Sequence, residues 1–205
     1  MNISELYFLN SIIDDEDIPF ISRPSANEVS MLVNDAIKEG LINKRVLANE
    51  DQFTEDGARL TRRLMQYKEA TKHVLIDNLA MGIIDDTQAV VIIFNPLDGV
   101  YNVILADSSD RVGQIVESIP LFHHEKPSIG TEVAEPKSVD KDQLEQLFDL
   151  GPDNHFRLTL HQAHIWTDEL FIFDQGHFYR YDYDAQTLFQ ESESSIIDCL
   201  HDRMA

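Results

Sequence analysis

The segment from Phe171 to Tyr183 concentrates side chains suited to holding another protein. Successive side chains of a strand alternate between faces. Tyr179, Tyr181 and Tyr183 therefore share one face, with Phe178, Arg180 and Asp182 on the other. Phe171 and Phe173, from the preceding strand, are expected to pair with the tyrosines across a hairpin. Tyrosine joins apolar area to a hydroxyl and is enriched at interfaces. Phe171, Phe173, Tyr179, Tyr181 and Tyr183 are thus the candidate partner-binding residues. The competing expectation makes the stripe the rim of a core under the last helix.

Other constellations point to weaker chemistry. Arg59, Arg62 and Arg63 fall at i, i+3 and i+4 of a helix, which brings three guanidinium groups to one surface. Residues 38–72 hold eight Lys and Arg against six Asp and Glu, a local excess of basic charge. The bland reading pairs these arginines with the chain's own carboxylates or leaves them in water. His123-His124-Glu125 and His161-x-x-His164 look like metal ligands, but a zinc site needs three or four donors at tight spacing. In a strand, i and i+3 also point to opposite faces. Asp14-Asp15, Asp85-Asp86 and Glu191/Glu193 are carboxylate pairs of the kind acid–base catalysis needs. They are expected by chance in a chain with 37 Asp and Glu. No G-x-S-x-G, P-loop or G-x-G-x-x-G motif occurs. Cys199 sits in an amphipathic helix and reads as a small core residue. The sequence predicts no enzyme, no cofactor and no metal site.

The positioning elements follow from composition and period. The chain has 205 residues, of which 43% are hydrophobic and 26% charged, values typical of globular proteins. Its net charge of −21 is the exception. Such a surface repels phosphate backbones and anionic lipid, so the expected partner is neither nucleic acid nor membrane. The longest apolar run, Ala89 to Phe94, is far short of a bilayer span. The first basic residue is Arg23 and the only cysteine is Cys199, so a secretory leader and a disulfide are not expected. A cytoplasmic location is the expectation.

The periodicity predicts a helix from Asn2 or Ser4 to the acidic run at 14–17. A second helix carries Val29, Leu32, Val33, Ala36 and Ile37, capped by Ser25 or Asn27 and stopped at Gly40. A third opens at Thr54, runs through Leu60, Leu64 and Tyr67, and continues weakly toward Leu79 with a break at 70–73. Ala89–Phe94 and Val100–Ala106 predict an antiparallel hairpin around Pro96-Leu97-Asp98-Gly99, with Asp98 and Gly99 at positive φ. Asp107 to Asp110 caps a short helix that ends at Pro120. Residues 123–138 read as a loop or linker, and about 140–150 as a helix stopped by Gly151-Pro152. Period-two runs at 156–161, 170–173 and 177–183 predict strands, the last two joined at Gly176. Ser192 or Ser194 caps a closing helix with Ile196, Ile197 and Leu200. The fold class is α+β: an antiparallel sheet of at least four strands, flanked by N-terminal helices and a C-terminal helix. The whole chain, 1–205, is read as one domain, mainly helical over 1–84 and mixed over 85–205, with a sub-boundary in the 123–138 loop.

The order of these elements resembles the ESX-associated chaperones of type VII secretion, the EspG-like and EsaE-like proteins. The residues carrying it are Ser4-Glu5-Leu6-x-x-Leu9, Glu39-Gly40-Leu41-Ile42, Phe53-Thr54-Glu55-Asp56-Gly57, Pro96-Leu97-Asp98-Gly99 and Gly176-His177-Phe178-Tyr179. The last stands where the family has a Gly-Arg-Tyr-like step. The resemblance implies an EspG-like sheet with helices, no catalysis, and a cytosolic role binding a helical secreted effector or the N-terminal segment of a toxin. Two rival functions are a winged-helix transcriptional regulator using residues 38–72, and an immunity protein neutralising a toxin.

Overall fold

The computed structural model describes residues 1–24, 31–107, 110–124, 136–139, 143–144 and 151–204, with the backbone alone at 31–33. The fold is α+β, with antiparallel strands, N-terminal helices and a C-terminal helix. Two compact units divide the chain, one of Met1–His73 with Asn78–Asp107, the other of Val74–Asp77 with Ser108–Ala205.

In the first unit, helix α1 (Ile3–Ile13) starts in a capping box: the Asn2 side chain accepts from the Glu5 N–H while Glu5 accepts from the Asn2 N–H. Leu6 and Leu9 are fully buried from its inner face. Helix α2 (Met31–Asn43) runs through Gly40 rather than stopping there. The reason is space. A Cβ on Gly40 would lie 2.6 Å from Glu5 Oε1, so this glycine admits the buried Glu5 carboxylate, which Lys44 neutralises. The expected caps at Ser25 and Asn27, and the side chains of Val29, Leu32 and Val33, lie outside the described residues.

A short ribbon, β1 (Leu47–Asn49) and β2 (Gln52–Phe53), leads into α3 (Glu55–Glu69), which Thr54 caps as predicted. Helix α3 ends at Glu69, and the expected continuation toward Leu79 is overturned. Lys72–Ile76 forms strand β3 and Leu79–Ile83 forms strand β4. Val74 and Ile76 are buried with Leu75 between them less so, which is a strand's period of two. Strands β4, β5 (Gln88–Asn95) and β6 (Val100–Asp107) pair antiparallel in the order β6-β5-β4. The predicted hairpin is present, although only Gly99 takes positive φ (66°) in its turn. Leu64 and Tyr67 of α3 are buried in this unit, Tyr67 donating from its hydroxyl to the Pro19 carbonyl (2.8 Å).

In the second unit, Asp110 caps α4 (Arg111–Ser118), and Pro120 opens a turn of 3₁₀ helix, Pro120–His123. Strand β7 (Lys137–Ser138) lies within the segment read as loop. Most of the helix expected at 140–150 lies outside the described residues. Strands β8 (His155–Gln162), β9 (Ile165–Asp174), β10 (His177–Asp182) and β11 (Thr187–Glu191) follow, in the antiparallel order β8-β9-β10-β11-β7. β11 was not predicted. Helix α5 (Glu193–Met204) closes the chain, with Ser192 accepting from the Ser195 N–H (3.0 Å) as its cap.

Candidate functional site

Register decides what the β9–β10 hairpin presents. Tyr179 stands opposite Ile172, and Tyr181 opposite Leu170. Phe171 and Phe173 stand opposite Arg180 and Phe178 instead. The expected pairing of phenylalanines with tyrosines is therefore overturned, because the two sets have opposite parity in the ladder. The five candidates occupy two faces.

On the tyrosine face, Tyr181 is buried in a cluster with Val139, Leu170 and Ile172, while Tyr179 and Tyr183 are half-buried at its margin. The Tyr183 ring meets Tyr181 edge-on at 5.0 Å and lies under the Arg157 guanidinium at 5.1 Å. Arg157 binds both carboxylate oxygens of Asp168, with its Nε donating at 2.7 Å. That hydrogen bond, stronger than the opposing effect of burial, raises the Arg157 pKa. Thr159 also donates to Asp168 (3.2 Å), and the Tyr183 N–H donates to the Asp168 carbonyl (3.2 Å). Burial pushes the Tyr179 and Tyr183 phenols up, so both remain neutral donors at physiological pH. At the end of β8–β9, Ala163 and His164 both take positive φ, as a two-residue hairpin turn requires. This turn sets His161 flat against Trp166, with centroids 4.3 Å apart. Ile165 is 64% exposed and Trp166 53%. Trp166, His161, Thr159, Asp168, Arg157, Tyr183 and Tyr179 thus share one face on three adjacent strands.

The opposite face is closed. Phe156 stacks on Phe171 (4.8 Å), and Phe122 of the 3₁₀ turn approaches Phe156 and Phe178. Phe171 and Phe173 are buried here, which removes them from contact with any solvent-borne partner. Beside them lies a cavity of about 600 Å³, lined by Glu169, Arg180, Glu191, Ser195, Cys199 and Arg203, among others. Glu169 is buried and accepts from Arg180 (2.9 Å) and Arg203 (3.4 Å). Glu191 accepts from Arg180 (3.0 Å) and from the Ser195 hydroxyl (2.6 Å). Burial opposes the charge on Arg180, but the two carboxylates outweigh it and its pKa is raised. The Cys199 thiol is pushed up, first by burial and then by Glu169, which keeps it a poor nucleophile near neutrality. The network pairs Arg180 with two carboxylates and ties α5 to β9 through Arg203, whose buried Nε is left without a hydrogen-bond partner among the described residues.

The remaining sequence candidates are spread apart. Arg59 pairs with Asp56, and Arg63 reaches the Val103 carbonyl at 3.5 Å, while Arg62 is exposed. His124 stacks on Phe173 (4.7 Å) and contacts the Asp153 carbonyl through Nε2 (3.1 Å), and Glu125 lies outside the described residues. His164 occupies the turn whereas His161 belongs to the ladder. Asp14 pairs with Lys68, and Asp85 caps its own turn by accepting from Thr87 and Gln88. Among the described residues no group of three His, Cys, Asp or Glu could hold a metal ion, and no helix is long and apolar enough to cross a membrane.

Sequence reasoning missed Trp166, Arg157 and Asp168 on the tyrosine face, and Glu169 on the other. The signal was available: Trp166, Asp168, Leu170 and Ile172 share parity, and a two-residue turn at 163–164 sets their partners on β8.

The model of one family, described as a domain of unknown function (DUF5081), matches residues 1–205, and the chain belongs to that family. A comparison with curated proteins returns no match.

Proposed function

We propose that the protein is a non-enzymatic, cytoplasmic chaperone or adaptor that holds a helical protein segment against the tyrosine face of the second unit. The observation that carries this reading is the half-exposed row of Trp166, His161, Arg157, Tyr183 and Tyr179 on one face of a paired sheet. Trp, Tyr and Arg are the side chains that dominate binding energy at protein interfaces. Held on strands by ion pairs and stacking, they lose little further freedom when a partner docks. The net charge of −21 favours a partner whose contact surface is neutral or basic. The resemblance to type VII secretion chaperones supplies the class: a helical secreted effector, or the helical N-terminal segment of a toxin. Of the residues first singled out, Tyr179 and Tyr183 keep the binding role, and Phe171, Phe173 and Tyr181 support them from within.

The test is co-purification with helical secretion substrates, followed by affinity and melting temperature for Trp166→Ala, Tyr179→Ala and Tyr183→Ala. At least one substitution should weaken binding roughly tenfold or more, as a hot spot does, with the melting temperature little changed. Unchanged affinity in all three would sink the assignment. Toxin activity separates the immunity alternative, because an adaptor for the targeting segment leaves an isolated catalytic domain active.

A further inference from the structure

Strand β6 ends its sheet: among the described residues its strand neighbour is β5 alone. Pairing is regular, with Tyr101 opposite Phe94, Val103 opposite Ile92, Leu105 opposite Val90 and Asp107 opposite Gln88. The Tyr101 backbone points away from β5. Its N–H donates to the Met1 carbonyl (2.6 Å) and its carbonyl accepts from the Met1 nitrogen (2.9 Å). This edge therefore already carries one rung of added backbone. Because antiparallel ladders alternate, Val103, Leu105 and Asp107 turn their N–H and C=O the same way. The Arg63 guanidinium touches the Val103 carbonyl only at 3.5 Å, the outer limit for such a bond.

Open edges are normally guarded by charge, proline or a bulge. From Val100 to Ala106 this edge has none of these, in a chain carrying −21. Ile104 is also 42% exposed beside it. We propose that β6 pairs with β6 of a second copy of this chain, antiparallel about a two-fold axis at Leu105.

This register places Leu105 opposite its own copy and Val103 opposite the second copy's Asp107. On the face that α3 covers, Asp107 of each copy then meets Arg63 of the other, a charge pair formed twice. On the other face Ile104 meets Ala106, covering the exposed isoleucine. Two such acidic molecules repel elsewhere, so a neutral strand is where they approach at least cost. The site is separate from the tyrosine face and does not depend on the adaptor reading.

Sedimentation of the full chain over a wide concentration range tests the proposal. A reversible dimer is expected. Leu105→Pro removes an outward N–H from each copy without touching the β5 ladder, and should weaken the dimer roughly tenfold or more. Arg63→Asp and Asp107→Arg should each weaken it several-fold, and the double reversal should restore it. A monomer at every concentration overturns the proposal, as does a dimer indifferent to Leu105→Pro and both reversals. A dimer that Leu105→Pro weakens but that is indifferent to the charge reversals overturns the register.

Discussion

The two faces of the β9–β10 hairpin carry aromatic rings of similar size with opposite fates. Phe171, Phe173 and Phe178 are sealed, while Tyr179 and Tyr183 remain half in water with only Tyr181 enclosed between them. The difference lies in what each ring can leave unburied. A phenyl edge gains nothing from solvent, whereas a phenol keeps its hydroxyl hydrated while its ring packs. The sealed face also holds a charge, Arg180, and this forces an acidic pair, Glu169 and Glu191, into the same layer. A stable core and a half-exposed aromatic face are thus built from alternate residues of the same strands.

The largest expected effect breaks this comparison at its centre. Phe171→Ala should cost about 4 kcal/mol of stability through a cavity in the sealed face, and Tyr181→Ala roughly half as much, both read by denaturant unfolding. Equal costs would mean that the tyrosine face is as much core as the other. A somewhat smaller loss, about 3 kcal/mol, is expected for Glu169→Ala, which leaves Arg203 without its carboxylate and Arg180 with Glu191 alone. A loss near zero would show that these cations find water in the adjoining cavity. The smallest effect is kinetic. Cys199 lies on the sealed side with its pKa raised above the ordinary 9.0 of a thiol. Below its unfolded-state pKa such a thiol favours the folded state, and that contribution fades as the pH rises through the folded value. The rate of alkylation should accordingly rise with pH along a curve displaced upward from that of the unfolded chain. Coincident curves would place Cys199 in open water.

Much of this was legible in the residues themselves. Asn2, Thr54, Asp110 and Ser192 cap helices because their side chains reach nearby backbone N–H groups, a relation confined to one turn. The 88–107 hairpin and the 177–182 strand follow from β-branched or aromatic alternation beside a turn. Lys72–Ile83 departs from the expected helix because Val74 and Leu79 extend a weak helical stripe, whereas β3 buries Val74 and Ile76 and β4 is buried at four successive residues, a pattern with no period to read.

The sequence by itself determined the helix caps, the 88–107 hairpin, the α+β class and the strong acidity, because each depends on neighbours in the chain or on simple addition. Tertiary structure alone decided that Tyr179 faces Ile172 rather than a phenylalanine, that Trp166 and Arg157 join the tyrosines, that Glu169 serves two arginines, and that β6 ends its sheet among the described residues. Those outcomes depend on strand register and strand order. Shifting one strand by a single residue sends every side chain to the opposite face, and nothing within the strand's own composition records which alignment its neighbour takes.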